Sequence, residues 1–504
     1  MSEPTNDASI TVLIVGAGLG GLMLGAVLER TNISYHILER ATELRPLGTA
    51  IGILGTILPI FEQLGIYEEL KNISLSHVSM DFYDTQINQL GSMYTENHKT
   101  VSGYDVLVTA RPKLYDLLRR QVPAHKISMR KKVLRSSEED DKVTVYCSDN
   151  SIYECSMLVG ADGAYSAVRQ NMYEKLEEEG NLPLHDKDGF SIGYITMVGV
   201  SNPPKPEKYP ELIDNRTHFR VVVGEKSESC YVVSAPNNQL CWGLQLQLSE
   251  EKAREQCFRN SEWRPPESVD AMLMELQDFP CPFGGTMKDL FDSTPKDLIS
   301  KVFLEEKVFQ TWYHGRSVLI GDACHKLLPG GGQGAVMAIK DAVVLANCIY
   351  NMKDGSDKSI KAAFASYHKQ RYPEAENVSV QSAIITKVMF GHKPTMALQS
   401  GLKLIGYHWW RTAAQERFFR KKGGRMRQLV QSSNATRCDI SQEETTLVLF
   451  NDIMADTVNI PIPVVLIVDT GIGGLFFGAG LERASISYHT YWNKLRNCDV
   501  LLNK

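Results

Sequence analysis

Residues 10–40, ITVLIVGAGLGGLMLGAVLERTNISYHILER, decide how the first part of the chain folds. The apolar run Val12–Val15 is typical of a strand that is buried on both faces in a parallel sheet. A helical segment follows to about Arg30, and a second short strand, Tyr35–Leu38, comes after it. The turn between the first strand and the helix carries three glycines in the spacing G-x-G-x-x-G: Gly16, Gly18 and Gly21. The stretch therefore predicts a strand–helix–strand unit.

Each of these glycines has a separate physical role in such a unit. Gly16 permits the tight turn, Gly18 lets the backbone approach a pyrophosphate, and Gly21 lets the helix pack closely on the strand. The helix N-terminus offers free N–H groups and the positive end of the helix dipole to the phosphates. Glu39 ends the second strand, where a carboxylate can accept both ribose hydroxyls of an adenosine. The unit predicts a dinucleotide site; the alternative is a glycine-rich turn with an incidental glutamate.

The composition argues against several other classes of protein. The chain has 504 residues, 43% hydrophobic and 22% charged, which is enough for two or more cores in an ordinary soluble protein. A net charge of −5 gives no basic surface for nucleic acid. The ten cysteines include no C-x-x-C pair, which argues against a zinc site or a disulfide framework and favours a reducing compartment. From the cysteine pattern we expect no bound metal. Because the polar start, MSEPTNDASI, does not resemble a signal peptide, we expect a cytoplasmic protein.

The pattern of a buried strand that leads into a helix occurs three more times, in residues 106–123, 156–170 and 316–350. Residues 186–299 instead alternate like the strands of a mostly antiparallel sheet. Within this segment, alternation along one strand places His218, Arg220 and Val222 on the same face. An inserted sheet of this kind could hold a substrate.

Three motifs in chain order resemble those of the single-component FAD-dependent aromatic hydroxylases, or group A flavoprotein monooxygenases, which have the p-hydroxybenzoate hydroxylase fold. The resemblance covers about residues 10–380, and the segment ELRPLGTAIGI is similar to the salicylate hydroxylase and zeaxanthin epoxidase branch. The motifs are GAGLGG with Glu39; Asp162-Gly163 with Ser166 and Arg169; and GDACHKLLPGGGQG, residues 321–334, closed by Asp341-Ala342.

The resemblance implies a set of FAD contacts. Arg45 and Arg111 resemble the family's pyrophosphate and ribityl contacts, and Asp322 can accept a ribityl hydroxyl, its alternative being a capping aspartate. The glycine loop would pass against the isoalloxazine, with the following helix N-terminus directed at the flavin N1–C2=O edge. Pro329 resembles the proline beside flavin C4a, and Asp162 resembles a residue that also serves NAD(P)H access. The assigned FAD residues are Gly16, Gly18, Gly21, Glu39, Arg40, Arg45, Arg111, Asp162, Gly163, Arg169, Asp322, Pro329, Gly332, Gln333, Gly334 and Ala335.

The resemblance also implies a reaction. NAD(P)H reduces FAD, O₂ adds to give a flavin C4a-hydroperoxide, and one oxygen atom is transferred to an aromatic or terpenoid-like small molecule by hydroxylation or epoxidation. Pro329 would stand beside the reacting flavin atom. His218 is our candidate base for a phenol, and Arg220 could stabilise a phenolate or carboxylate. The alternative is that both are solvent-facing strand residues.

Some positions depart from the family pattern. Val336 stands where many relatives have an asparagine that contacts the flavin pyrimidine, and Lys340 replaces a common acid. Because one fold can serve several functions, two alternatives remain open: a flavin oxidase or reductase of the same fold, and a non-catalytic flavin-binding protein.

We expect an α/β protein with a Rossmann-type, glutathione-reductase-like FAD-binding domain, an inserted and mostly antiparallel substrate domain, and a helical C-terminal region. The predicted boundaries are 10–185 with 300–380 for the FAD-binding domain, 186–299 for the substrate domain, and 381–440 for the helical region.

The C-terminus contains a partial internal repeat. Residues 465–489 match residues 12–36 at 17 of 25 positions. Asp469 replaces Gly16 and Trp492 replaces Glu39, so we expect residues 462–492 to be a degenerate appendage rather than a second nucleotide site. The apolar stretch 462–481 has nearly the length of a membrane span, but Asp469 and five glycines argue against membrane association.

Overall fold

The computed structural model describes residues 12–43, 48–95, 97–139, 141–202, 209–224, 228–249, 272–274 and 276–390. The strands, in chain order, are β1 (Val12–Val15), β2 (Tyr35–Leu38), β3 (Ala50–Ile53), β4 (Leu75–Tyr83), β5 (Gln89–Tyr94), β6 (Val106–Ala110), β7 (Ile127–Ser128), β8 (Val133–Glu139), β9 (Lys142–Cys147), β10 (Ile152–Cys155), β11 (Met157–Gly160), β12 (Ser191–Val200), β13 (Arg216–Val223), β14 (Glu228–Ala235), β15 (Gln239–Gln247), β16 (Ser300–Val308), β17 (Tyr313–His314), β18 (Ser317–Leu319) and β19 (His325–Lys326). The α-helices are α1 (Leu19–Arg30), α2 (Leu58–Gln63), α3 (Tyr67–Asn72), α4 (Asn97–Ser102), α5 (Arg111–Arg119), α6 (Ala167–Glu178), α7 (Leu184–Lys187), α8 (Met287–Ser293), α9 (Gly334–Tyr350) and α10 (Asp357–Phe390).

A six-stranded sheet carries the predicted strand–helix–strand unit. Its order is β17–β18–β11–β1–β2–β7, and all of its pairs are parallel except β17 with β18. Every residue of β1 and β11 is buried, as their unbroken apolar sequences require for strands covered on both faces. Helix α1 packs against α9, and both contribute to the main hydrophobic core. The predicted Rossmann-type α/β architecture is confirmed.

The second large sheet has the order β19–β16–β12–β15–β14–β13–β4–β6–β3, with β5 paired to β4. Its pairs are antiparallel except β4 with β13, so the sheet is mostly antiparallel as predicted. Strands β3 to β6 come from the N-terminal segment before β7, and β16 and β19 come after residue 299, so the sheet includes residues before, within and after 186–299. A separate three-stranded sheet has the order β10–β9–β8.

The two faces of the large sheet are covered by different parts of the chain. One face packs on Tyr209, Phe283 and α8, and its own core residues include Val222 and Trp242. The other face carries Val221 and Val223, and it is covered by the end of α10 and by Leu328. We call these the outer face and the inner face. Because Leu328 precedes Pro329, the inner face is directed towards the glycine-rich loop.

Helix α10 starts at Asp357, within the predicted FAD-binding domain, and extends to Phe390 in the predicted helical C-terminal region. The rest of the segment 381–440 and the predicted degenerate repeat at 462–492 lie outside the described residues. Among the residues that the structure describes, no helix is both long enough and apolar enough to cross a membrane.

Candidate functional site: an FAD cleft beside the inner sheet face

The turn after β1 has the geometry that its glycines predict. Gly16 has a φ of +105°, and its N–H donates to the carbonyl of Leu38 at 2.7 Å. A Cβ at Gly16 would clash with the backbone of Ala161, and a Cβ at Gly21 would clash with the carbonyl of Gly16. A Cβ at Gly18 would meet no atom within 4 Å. Two glycines therefore allow close packing, whereas Gly18 borders open space at the N-terminus of α1.

Glu39 lies beside this turn at the end of β2. Its Oε2 accepts a hydrogen bond from Ala17 N and its Oε1 accepts one from Ala41 N, both at 2.8 Å. Each carboxylate oxygen has a second lone pair, so this arrangement orients the group and leaves capacity for two hydroxyl donors. Arg40 is exposed next to it, and Arg45 lies outside the described residues.

Arg111 begins α5 and faces the same cleft. Its N–H donates to Thr49 O at 2.9 Å, and its side chain packs under Gly48, whose φ is +124°. Burial lowers the pKa of Arg111, and the carboxylate of Asp322 opposes this shift. Arg111 and Asp322 are therefore electrostatic neighbours, as expected for residues at one cofactor.

One turn further along α5, Tyr115 is a candidate that the sequence analysis missed. Its buried hydroxyl has no hydrogen-bond partner among the described residues. Burial raises the pKa of this phenol, and the charge of Glu39 adds to the effect. Tyr115 is four residues after Arg111, and this spacing places both side chains on the same face of the helix, which the sequence alone could have shown.

Asp162 and Gly163 form the turn between β11 and α6. Asp162 Oδ2 accepts from Ala167 N at 2.7 Å, but its Oδ1 is buried without a partner in the described part of the chain. Burial raises the pKa of Asp162. Gly163 has a φ of +84°, and a Cβ there would meet nothing within 4 Å. An unpaired carboxylate oxygen beside open space is suited to a ligand donor.

Arg169 joins this turn to the glycine-rich loop. Its Nη1 donates to Ala323 O at 2.7 Å and its Nη2 donates to Ala164 O at 2.5 Å. The guanidinium lies 4.1 Å from the ring centroid of Phe309. These contacts commit Arg169 to fixing two cofactor segments relative to one another, which is a positioning role.

Asp322 follows β18 and forms an ion pair with Lys326 at 2.5 Å. Burial opposes ionisation of Asp322, but Lys326, His325 and Arg111 keep its pKa below the usual value. Asp322 is therefore an anion in the cleft, ready to accept a hydroxyl hydrogen bond. Sequence analysis did not select Lys326, although its spacing of four residues from Asp322 was visible.

The loop that follows is held against α10. Pro329–Gly331 form a short 3₁₀ turn, and Gly330 N donates to Thr386 Oγ1 at 3.2 Å. A Cβ at Gly330 would clash with Thr386, whereas Gly332 and Gly334 border open space. Pro329 and Gly332 are exposed, and Gln333 and Ala335 are half-buried at the start of α9. The loop thus presents bare backbone and a helix N-terminus to the cleft.

Behind this loop is a buried charge network that we call the α9–α10 network, formed by His325, Lys340, Asp341, Arg371 and Glu374. His325 Nε2 lies 2.5 Å from Asp341 Oδ2, and Arg371 Nε donates to Asp341 Oδ1 at 2.7 Å. Glu374 pairs with Arg371 and, at 2.8 Å, with Lys340. The network fixes α10 on α9 and so supports the loop. It also gives Lys340, one of the two departures from the family pattern, a partner in Glu374.

His218 and Arg220 do not join these residues. They lie on the outer face of the sheet, where His218 Nε2 is 3.0 Å from Asp214 Oδ1 and Arg220 Nη1 is 3.2 Å from Glu211 Oε1. Arg220 also donates to Pro282 O at 3.0 Å and lies over Phe283. The alternation that groups them is correct, but the face directed at the glycine-rich loop is the one that carries Val221. The structure therefore places both candidates away from the predicted flavin surface.

The cleft fits FAD on physical grounds. It combines open backbone at Gly18 and Gly332, an unpaired oxygen of Asp162, the oriented carboxylate of Glu39, and the anionic Asp322. Two helix N-termini, those of α1 and α9, supply positive ends to phosphate and to a reduced ring. Together, the fold and the cleft are those of an FAD-binding domain.

The chain belongs to the FAD binding domain family, whose model matches residues 9–259 and 288–382. It is 28% identical over 401 residues to the FAD-dependent monooxygenase ptmM of Penicillium ochrochloron, covering 76% of this chain and 89% of that one. It is 28% identical over 394 residues to the FAD-dependent monooxygenase terM of Tolypocladium album, covering 75% and 78%.

Solved structures agree on the fold. HpxO of Klebsiella pneumoniae, in complex with FAD and uric acid, matches with a TM-score of 0.63 at 19% identity, covering 85% of this chain and 98% of that one. The 2,6-dihydroxypyridine-3-hydroxylase of Arthrobacter nicotinovorans matches with a TM-score of 0.62 at 18% identity, covering 78% and 95%. The predictions of FAD as cofactor and of an FAD-dependent monooxygenase are confirmed.

Proposed function

We propose that this FAD-dependent monooxygenase uses NAD(P)H and O₂ to place one oxygen atom on an electron-rich, aromatic or terpenoid-like small molecule. The balanced reaction consumes substrate, O₂, NAD(P)H and one proton, and it yields oxygenated substrate, NAD(P)⁺ and water. The observation that carries the proposal is the convergence of the glycine-rich loop with the inner face of the sheet at Leu328 and the end of α10.

FAD, when bound, accepts reducing equivalents and activates O₂, which side chains cannot do. The chain's own residues then have three tasks. Glu39, Arg111 and Asp322 bind and orient the cofactor from its adenosine end towards its ring. Arg169 fixes the Asp162 turn against the glycine-rich loop. The apolar inner face excludes water from the reacting centre.

The test is a stoichiometry measured on the FAD-loaded protein. NADH and NADPH oxidation, O₂ uptake, H₂O₂ and product should be measured with a series of phenols, with ¹⁸O₂ as the oxygen source. We expect one reduced nicotinamide and one O₂ per product, with one ¹⁸O atom in that product. Quantitative H₂O₂ with every phenol would instead identify a flavin oxidase.

The variant Gly18→Val provides the matched control. A side chain at this position meets no protein atom within 4 Å, so the fold should be retained. It would project into the space assigned to the pyrophosphate, and we expect colourless protein without turnover. Full FAD occupancy in this variant would move the cofactor site elsewhere.

A further inference from the structure

A row of neutral polar side chains crosses the inner face of the large sheet. Residue Gln245 of β15 is paired in register with one residue on each neighbouring strand, Thr196 of β12 and Ser229 of β14. Their sequence neighbours point to the opposite side, into the core of the outer face: Met197, Leu244 and Cys230. The three polar side chains therefore share the inner face. We call Thr196, Gln245 and Ser229 the inner polar row.

The row is buried but incompletely hydrogen-bonded. Thr196 is 6% exposed, and Gln245 and Ser229 are each 1% exposed. Gln245 Nε2 donates to Thr196 Oγ1 at 3.2 Å. Gln245 Oε1 and Ser229 Oγ have no partner among the described residues. Exchanging the oxygen and nitrogen of the Gln245 amide would still leave one end unpaired.

Buried polar groups are almost always paired, so two unpaired groups side by side indicate a ligand position. Most of the inner face around the row is apolar and includes Val223 on β13, Tyr194 on β12 and Phe390 at the end of α10. Gln247 is paired in register with Tyr194 on this face, and the charge of Glu306 adds to the burial that raises the pKa of Tyr194. Leu328, in the same cluster, leads into Pro329 of the cofactor loop. The row therefore adjoins the surface on which we place the substrate.

The chemistry of the row selects a kind of ligand. An amide and two hydroxyls carry no charge, and Arg220 of β13 lies on the outer face with Glu211. A carboxylate would have to leave water without a counter-charge there. A hydroxyl group both donates and accepts, so it can satisfy the amide oxygen and the Ser229 hydroxyl together.

We infer that the inner polar row binds the hydroxyl group of a neutral, otherwise apolar substrate. This assignment rests on the proposed function, because it places the substrate in the same cleft, and it names the group by which that substrate is held. Gln245 is its main contact, with Ser229 as a second and Thr196 as the group that orients the amide.

The test compares three probes of equal ring size: 2-naphthol, naphthalene and 2-naphthoate. Their dissociation constants for the FAD-loaded protein should be measured by equilibrium dialysis at neutral pH, without NAD(P)H. We expect 2-naphthol to bind about three- to tenfold more tightly than naphthalene, as one or two hydrogen bonds imply, and 2-naphthoate to bind most weakly. In Gln245→Leu, the dissociation constants of naphthalene and 2-naphthol should become about equal, so that their ratio is about one.

Two further variants keep the result interpretable. Gln63→Leu removes another amide whose buried oxygen is unpaired within the described residues, on α2, and it should retain the wild-type ratio. Ser229→Ala should lower the ratio in part, and it replaces Gln245→Leu as the deciding variant if that protein does not fold.

The proposal is overturned if wild-type protein shows no preference for 2-naphthol over naphthalene, if 2-naphthoate binds most tightly, or if the deciding variant keeps the wild-type preference. The last result would mean that the row holds only structural water. Because dialysis does not depend on turnover, the preference can survive when NAD(P)H-dependent oxygenation fails. If oxygenation is intact but the preference for 2-naphthol is absent, only the proposed role of the inner polar row is rejected, and the proposed function stands.

Discussion

Two histidine–aspartate pairs in this molecule differ in almost every physical respect. His325 and Asp341 are both fully buried, their side chains are 2.5 Å apart, and the carboxylate also accepts from Arg371 and from Gly321 N. His218 and Asp214 lie at the sheet surface, where their side chains are 24% and 48% exposed and 3.0 Å apart. The first pair connects strand β19 to helix α9 behind the cofactor loop, and Arg371 connects Asp341 to α10. The second connects one strand to the segment just before it.

The comparison shows that residue type alone does not identify the functional pair. The sequence favours His218 as a base because Arg220 lies on the same face of the strand. The arrangement of elements then gave both residues local carboxylate partners on the side away from the cleft. The buried pair belongs to a motif read from sequence as a cofactor loop, and its contribution is to hold that loop in place.

The largest expected effect is that of Asp341→Asn. It leaves the buried Arg371 with Glu374 as its remaining counter-charge and removes the carboxylate that His325 contacts, and we expect a loss of about 3–5 kcal/mol in the free energy of unfolding. The matched change in the exposed pair, Asp214→Asn, should cost less than about 1 kcal/mol. Chemical denaturation of both FAD-loaded variants measures the difference. Equal losses would contradict the contrast between the pairs.

The buried pair should also control stability at acidic pH. Burial favours the protonated form of Asp341, but His325 and Arg371 outweigh it and lower its pKa to about 2. Because the folded pKa lies below the unfolded value of about 3.9, the stabilisation is complete above about pH 4 and is lost as the pH falls towards 2. Its size is about 2.5 kcal/mol.

Between pH 5 and pH 2.5, the free energy of unfolding should therefore fall less steeply with decreasing pH for Asp341→Asn than for wild type. Some dependence will remain, because the pKa of Glu374 is also lowered to about 2: burial opposes this, and Lys340 and Arg371 outweigh burial. Asp214→Asn should leave the wild-type slope unchanged. Parallel slopes for wild type and Asp341→Asn would show that the pair does not carry the acid sensitivity.

The parts of the fold that sequence predicted best depend on local geometry. The first strand, the glycine turn and helix α1 follow from apolar runs and from conformations that glycine adopts easily, such as the φ of +105° at Gly16. The alternation along β13 was equally readable, because successive side chains in a strand point to opposite faces.

What sequence could not provide is the choice of which face is directed at the cleft. That choice depends on packing between distant segments: Phe283 and Tyr209 cover Val222, whereas Ile385 and Phe390 cover the face of Val221. For the same reason, sequence could not show that Arg169, which we predict to lie at the cofactor, donates to the carbonyl of Ala323, 154 residues away.

A smaller effect is expected at Arg220. Arg220→Gln removes the ion pair with Glu211, the bond to Pro282 O and the contact with the Phe283 ring. We expect about 1–2 kcal/mol of lost stability, since the site is only partly exposed. The KM for a phenolic substrate should change by less than about twofold. A KM that rises steeply for acidic phenols alone would return Arg220 to the substrate site.

The smallest effect should come from His218→Gln, which tests the exposed pair directly. Glutamine can still donate to Asp214, and exposed pairs of this kind contribute little, so the free energy of unfolding should change by less than about 1 kcal/mol. His218 faces away from Val221 and Leu328, so it cannot reach a substrate on the inner face without a change in the sheet. We therefore expect kcat to stay within about twofold of wild type and the acid limb of the pH–rate profile to keep its midpoint. A general base removed from the reaction would instead lower kcat by about 100-fold or more and abolish that limb. Such a loss, together with a smaller loss of kcat in Asp214→Asn, would mean that the reaction takes place at the outer face. The exposed pair would then be the functional one.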